Sequence, residues 1–476
     1  MRKLFLFALL PVAALFIFTG CCGVSNGCPA EKSNVITLPV PERAAGQTDV
    51  LQLALDPIPT VRVAFIGLGM RGPGAVERFM NIPGIEVVAL CDVLEDRVKK
   101  CNSMLADKGF PAAQEFFGDT TVWREVVKLP NLDLVYICTP WSSHTPIAVE
   151  AMKNGKNAAI EVPAARSIAD CWDLVNTAEQ TRKHCIQLEN CTYDEFEMAT
   201  LNMAQQGVFG NVIHVEGAYI HDLRGLMFGK EGYWDMWRLK ENTTRKGDVY
   251  PTHGLGPICQ ILNIHRGDKM NHLVSMATDQ FGMTEYAKGV FGADSPEAKV
   301  DYQMGDNTTT LVRTEKGKTI LVQHDVTSPR PYSRIHQVSG TKGFAQKWPI
   351  EGLAVESSML SAELREKYPH LGTHDNVNPE AKSAILEYYK HPFYVEIGKK
   401  AKEVGGHGGM DFVMDYRLVY CLRNGLPLDM DVYDAAEWSS IAELSEISIN
   451  NDSAPVEVPD FTRGAWNKVQ GLKFAQ

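Results

Sequence analysis

Val61-Arg62-Val63-Ala64-Phe65-Ile66-Gly67-Leu68-Gly69-Met70-Arg71-Gly72 is a short apolar, β-branched run entering a Gly-x-Gly-x-x-Gly turn. Ala75 to Met80 then has helical character. Strand, glycine turn and helix in this order are what a dinucleotide-binding fingerprint requires. In such a turn Gly67 permits the tight bend, Gly69 lets backbone approach a pyrophosphate, and Gly72 lets the helix lie close to the strand. The helix N-terminus offers N–H groups and a positive dipole end to the phosphates.

The next apolar run, Glu86 to Cys91, ends at Asp92, twenty residues beyond Gly72. An acid there accepts hydrogen bonds from ribose hydroxyls and repels a 2′-phosphate, which favours NAD over NADP. A further strand, Leu134 to Cys138, runs into Thr139-Pro140-Trp141-Ser142-Ser143-His144, and a helix from Ile147 to Asn154 follows. Ala158-Ala159-Ile160 then leads into Glu161-Val162-Pro163. Alternating strands and helices imply a doubly wound parallel sheet of the Rossmann type, with ligands at the C-terminal strand ends. Trp141 to His144 and Glu161-Val162 are all placed at such ends.

Outward from this half, the N-terminus carries a different signal. Arg2 and Lys3 precede an almost unbroken apolar run, Leu4 to Phe18, which closes at Thr19-Gly20-Cys21. The run is shorter than the roughly 20 residues that span a bilayer comfortably, so residues 1–20 read as a signal peptide. The Gly-Cys junction resembles a bacterial lipobox, which makes Cys21 a lipidation site and residues 21–58 a polar tether. The expected location is the bacterial cell envelope, lipid-anchored on the periplasmic side or the cell surface. A net charge of −11 with no basic patch argues against nucleic acid. The eleven cysteines form no CxxC pair and no metal-ligand spacing, so buried thiols are expected and no metal is assigned.

Past residue 185 the pattern changes. Residues 59–185 read as the NAD-binding domain and 186–476 as a substrate-binding domain. Strand-like runs occur at Val212–Ile220, Leu273–Thr278, Asn307–Thr314, Thr319–Val326 and Ile335–Ser339, with helical stretches at Ile258–Leu262 and Glu380–Tyr389. Tight turns between consecutive strands favour an antiparallel sheet. Residues 430–476 are expected to return to the body, and Gly405-Gly406-His407-Gly408-Gly409 reads as a flexible loop over a cleft.

The glycine turn, the Thr-Pro-x-x-x-His segment and the Glu-x-Pro tripeptide together resemble the glucose–fructose oxidoreductase, inositol dehydrogenase and rhizopine catabolism family. The resemblance implies a Rossmann domain followed by an α/β domain on an open, mostly antiparallel sheet. That family commonly has Glu-Lys-Pro, and Val162 stands here at the lysine position. Tyr233-Trp234-Asp235-Met236-Trp237-Arg238 and Gly247-Asp248-Val249-Tyr250-Pro251-Thr252-His253-Gly254-Leu255-Gly256 are similar to glycoside hydrolase family 109, known for NAD-dependent α-N-acetylgalactosaminidase activity. By that resemblance Met70, Arg71, Asp92, Trp141, Ser142, Ser143, His144, Glu161, Val162, Asn190 and Tyr250 contact NAD. Tyr219, Arg238, Tyr250, Pro251, Thr252, His253 and Tyr332 contact the sugar. His253, helped by Tyr250 and Tyr332, handles protons, and the partner is a glycan ending in N-acetylgalactosamine; an oligomer is left open.

The chemistry implied is oxidation at C3 of the sugar, elimination across C2–C1, addition of water and return of hydride. Its net result is hydrolysis with the cofactor unchanged, which suits an exported enzyme cut off from cellular recycling of NAD. Histidine fits the proton shuttle because its pKa lies near neutrality. Read without the resemblance, His253 is more readily a structural histidine, and Trp234, Trp237 and the tyrosines more readily core. An exported NAD-dependent sugar oxidoreductase and a catalytically silent sugar-binding lipoprotein are the competing readings.

Overall fold

The computed structural model describes residues 35–474. The expected signal peptide and the expected lipidation site Cys21 lie outside the described residues. Six strands, β1 (Val61–Ile66), β2 (Ile85–Cys91), β3 (Gln114–Phe116), β4 (Leu134–Ile137), β5 (Asn157–Ile160) and β6 (Cys185–Gln187), pair in parallel in the order β3-β2-β1-β4-β5-β6. Five of the six positions of β1 are buried, because helices cover both faces of this sheet and leave no solvent side. Strand order reverses between β1 and β4, and a crevice for ligands opens there. The Rossmann sheet therefore ends at Gln187, two residues past the expected boundary.

The second sheet holds β7 (Val212–Ile220), β8 (Met270–Ala277), β9 (Thr308–Thr314), β10 (Thr319–Asp325), β11 (His336–Gly340), β12 (Gly343–Gln346), β13 (Gly352–Val355) and β14 (Val456–Glu457). Their order is β13-β12-β11-β7-β10-β9-β8-β14, and only the β7–β10 pair is parallel. Along β9 buried and more exposed residues alternate, the pattern of a sheet with one face covered. The helices Thr252–Leu262 and Val432–Asn450 supply that cover, and the second also packs on Ile168–Thr181 of the first domain. The C-terminal segment thus returns to the body as expected.

Two expectations need correction. Residues 35–58 are not a free tether. Ile36 pairs with Val456 at the edge of the second sheet, Arg43 forks onto the buried carboxylate of Glu179, and the Val50 N–H donates to Tyr433 Oη at 3.0 Å. A segment without periodicity forms no element of its own, yet its polar groups find partners on both domains. The second correction concerns the helical stretch expected at Ile258–Leu262: the helix begins earlier, at Thr252, despite Gly254, Gly256 and Pro257. Close packing selects these residues, since a Cβ on Gly217 of β7 would lie 2.2 Å from the Gly254 carbonyl oxygen. The helix lies directly on the strand, and only glycine on both sides permits it.

The eight cysteines among the described residues are free thiols and seven of them are buried. No described helix is long and apolar enough to cross a membrane.

Candidate active site

A cavity of about 920 Å³ runs from the glycine turn to the end of β7, with Tyr332 and Arg334 on its far wall. At its dinucleotide end Gly67, Gly69, Met70 and Arg71 form the wall. Gly67 has φ +91°, and a Cβ there would lie 2.6 Å from the carbonyl carbon of Cys138, so the turn requires glycine. Gly72 is not on the wall; it packs against the Gly67 carbonyl, where a Cβ would come within 2.1 Å. The helix Gly72–Phe79 has no side-chain cap and no acid in its first turn, which leaves its N–H groups to an incoming phosphate. Asp92 accepts from the Leu68 N–H at 2.6 Å and the Leu94 N–H at 2.9 Å, and Arg97 lies 3.6 Å away. These residues fit NAD: the turn and helix end would receive the pyrophosphate and Asp92, on the wall, the ribose.

Arg71 ties the turn to both domains. Its Nε donates to Glu161 at 2.9 Å and its Nη1 to Asp411 at 3.1 Å. Asp411 is buried and also accepts from Asn190 and from His407 Nδ1 at 2.9 Å; Arg78 lies 3.7 Å away. This ring of cations holds its carboxyl well below the usual range despite the burial, which acts the other way. The five-residue loop Gly405–Gly409, all at positive φ, brings His407 onto the cavity wall. Trp141, Ser142 and Ser143 line the next stretch. His144 lines it with carbon only, because its ring nitrogens lie 2.8 Å and 2.7 Å from the carbonyls of Pro163 and Thr139.

At the sugar end Tyr250 stacks on Trp141 with ring centroids 5.5 Å apart and packs 4.7 Å from Tyr219. Val162 is buried within this aromatic group. His253, in the first turn of its helix, lies with Nε2 3.3 Å from Tyr250 Oη and Nδ1 2.7 Å from Glu189 Oε1. Burial holds the His253 imidazole below its ordinary pKa, partly offset by Glu189, so the ring is neutral at pH 7. His253 and the cation Arg334 keep the Glu189 carboxylate ionised against its own burial. Nδ1–H therefore donates to Glu189 and Nε2 is left as the basic nitrogen. Tyr332 stands at the rim, 39% exposed, edge-on to His221 at 4.9 Å. Pro251 and Thr252 are absent from the wall; they set the helix start, and Thr252 is fully buried.

Arg238 is buried with its guanidinium over Trp141 and Tyr250, at 4.9 Å and 4.6 Å from their ring centres. Its Nη1 donates to Tyr233 Oη, while Nε and Nη2 have no hydrogen-bond partner among the described residues. Four residues of this end carry no signal in the sequence reading: Glu189, His221, Arg334 and, beyond its loop, His407. Only a strand-end position of Glu189, just past β6, could have pointed to it.

Residues 61–188 match the oxidoreductase family with an NAD-binding Rossmann fold, and residues 193–468 match the C-terminal domain of glycosyl hydrolase 109. The chain belongs to glycosyl hydrolase family 109. A family 109 protein of Bacteroides fragilis (strain YCH46) is 53% identical over 97% of this chain and 98% of its own length. A protein named alpha-N-acetylgalactosaminidase, from Bacteroides fragilis strain ATCC 25285, is 53% identical over 90% of this chain and 97% of its own. Among solved structures, levoglucosan dehydrogenase in complex with NADH and levoglucosan aligns with TM-score 0.60 at 14% identity. That alignment covers 84% of this chain and all of the dehydrogenase, and it shows a shared fold. A family 109 glycosidase with an NAD-binding domain accounts for both ends of the cavity.

Proposed function

We propose that the protein releases terminal α-linked N-acetylgalactosamine from glycans with a resident NAD that ends each turnover unchanged. The observation that carries this reading is His253, buried, neutral and held by Glu189, in the same cavity as the glycine turn. When bound, NAD⁺ supplies reversible removal of hydride from C3 of the sugar. The glycine turn, Asp92, Glu161 and Asn190 would hold it, and Arg71 secures the turn from both domains.

The chain's own groups then handle protons. A ketone at C3 acidifies the hydrogen at C2, and His253 Nε2 is the base positioned to take it. Glu189 fixes the tautomer that leaves Nε2 free and stabilises the imidazolium that forms. Tyr250 Oη, beside Nε2, orients the ring and offers a donor to sugar oxygen. His407 faces the cavity with Nδ1–H donating to Asp411, and once its other nitrogen has taken a proton from solvent that nitrogen is the acid for the departing oxygen. Ordinary glycosidases flank the bond with two carboxylates. Here Glu189 is committed to His253 and Glu161 to Arg71, which leaves no such pair in the sugar end.

Hydrolysis of an aryl α-N-acetylgalactosaminide in D₂O, without added NAD, tests the reading. The released sugar is expected to carry deuterium at C2 and its original hydrogen at C3. Full retention of hydrogen at C2 overturns the route, and release of a keto-sugar favours a sugar oxidoreductase. We also propose that lipid on Cys21 holds the mature protein at the cell envelope, supported by the residue pattern of 1–21. Cys21→Ser should move the protein from the membrane to the soluble fraction, and continued sedimentation with membranes would sink the anchor.

A further inference from the structure

Arg238 and Arg334 both project into the sugar end, and neither forms an ion pair with a described residue. Arg238 is accommodated by rings: Trp141, Tyr219, Tyr233 and Tyr250 all lie within 5.8 Å of its guanidinium carbon. Arg334 has less. Its Nη1 meets Cys191 Sγ at 2.9 Å, its carbon lies 5.5 Å over the rim residue Tyr332, and its Nε is buried without a partner. Burial pushes the Cys191 thiol well above its usual range, so the sulfur is uncharged and does not neutralise the cation. Glu189, whose charge reaches Arg334, is hydrogen-bonded to His253.

A half-buried guanidinium whose Nε is cut off from water and which no carboxylate hydrogen-bonds is unfavourable. Retaining one is explained where negative charge arrives during turnover. The place also matters: Cys191 Sγ, Glu189 and His253 bring ligand atoms within 4.8 Å of one another, so the thiol that Arg334 touches sits beside the His253 ring.

We propose that Arg334 is a catalytic residue that stabilises the enolate oxygen formed when His253 removes the C2 proton, a role that rests on the oxidation–elimination reading above. In that step the C2–H pair becomes the C2–C3 double bond, the carbonyl π pair moves to O3, and the proton goes to His253 Nε2. On collapse the O3 pair restores the carbonyl, the C2–C3 pair becomes the C1–C2 double bond, and the C1–O1 bond breaks. O1 leaves with that pair and takes a proton from the acid. Charge on O3 exists only between these two events, and Arg334 is the cation beside the base that no carboxylate has claimed. Arg238 lacks that freedom, being enclosed by four rings with its Nη1 on Tyr233.

Full-length Arg334→Met and Arg334→Lys proteins, loaded with NAD, separate oxidation from elimination. On mixing with an aryl α-N-acetylgalactosaminide, near-ultraviolet absorbance reads reduction of the cofactor, and NMR in D₂O reads deuterium entry at C2. The Met variant is expected to reduce its cofactor normally while C2 exchange and aryl release fall on the order of 10²–10³-fold, with KM little changed. The Lys variant recovers part of the loss. Normal exchange in the Met variant overturns the proposal, as does loss of cofactor reduction in step with exchange. A defect confined to KM for glycans bearing a carboxylate would also overturn it, making Arg334 an anion-binding group instead. Unfolding temperature and NAD content identify a misfolded Met variant, in which case the Lys and Gln variants carry the same test. Absence of C2 exchange in the parent protein defeats the underlying function, whereas exchange in the parent that is unaffected by Arg334→Met defeats this role alone.

Discussion

At the dinucleotide end of the cavity Arg71 and Arg78 share Glu161, Asp411 and Asp415, whereas at the sugar end Arg238 and Arg334 face rings and a thiol. Every arginine of the first end is ion-paired with carboxylates before any ligand arrives. The second is incomplete: neither of its cations has a carboxylate partner among the described residues. The difference separates what retains a cofactor from what transforms a substrate, and it can be broken at either end.

The largest effect is expected from His253→Ala. Turnover should fall about 10²–10⁴-fold, the usual contribution of a positioned proton-transfer group. NAD content and unfolding temperature should stay as in the parent, because the dinucleotide end is untouched. Loss of NAD together with activity would show that the two ends are not independent.

Asp411→Ala attacks the other side. It leaves Arg71 and Arg78 short of a carboxylate in a buried network, an expected cost of about 3–5 kcal/mol. The measurable outcome is a lower unfolding temperature and release of NAD on dilution, with activity restored in part by added NAD. A protein that keeps NAD and stability would mean that Asp415 and Glu161 suffice.

Glu189→Gln should have the smallest effect, on the order of 10–100-fold in turnover, since the amide oxygen can still accept from Nδ1–H. The pH profile sharpens the comparison. The Glu189 charge raises the His253 pKa, which burial has already placed below the ordinary value. Removing that charge lowers it further, so the acidic limb of kcat/KM moves to lower pH. A limb that moves up, or stays in place, would show that another group titrates there.

Much of the scaffold was legible. Val212–Ile220 is a strand with the bounds expected, and the glycine turn and Asp92 sit where the fingerprint puts them, because both signals are contiguous in sequence. Short β12, β13 and β14 were not read: strands of four, four and two residues carry too little alternation. Thr252–Leu262 was half read, since its glycines and proline speak against a helix until β7 is beside it. Within the site, Tyr250 and His253 stand three residues apart and announce each other. Glu189 is 64 residues from His253, and Arg334 is 143 from Cys191, so each becomes visible only when the chain closes.

The segment 35–58 has a mechanical consequence. Arg43, Gln47, Tyr433 and Arg463 all converge on the buried Glu179, while Ile36 is stitched beside Val456 and the Ile58 N–H to Leu422. A pull on the N-terminal end would meet these fastenings one after another before it reached β1 and the glycine turn. The cavity is thereby insulated from drag on whatever lies upstream, and the first event under tension is peeling of a strap with the active site intact.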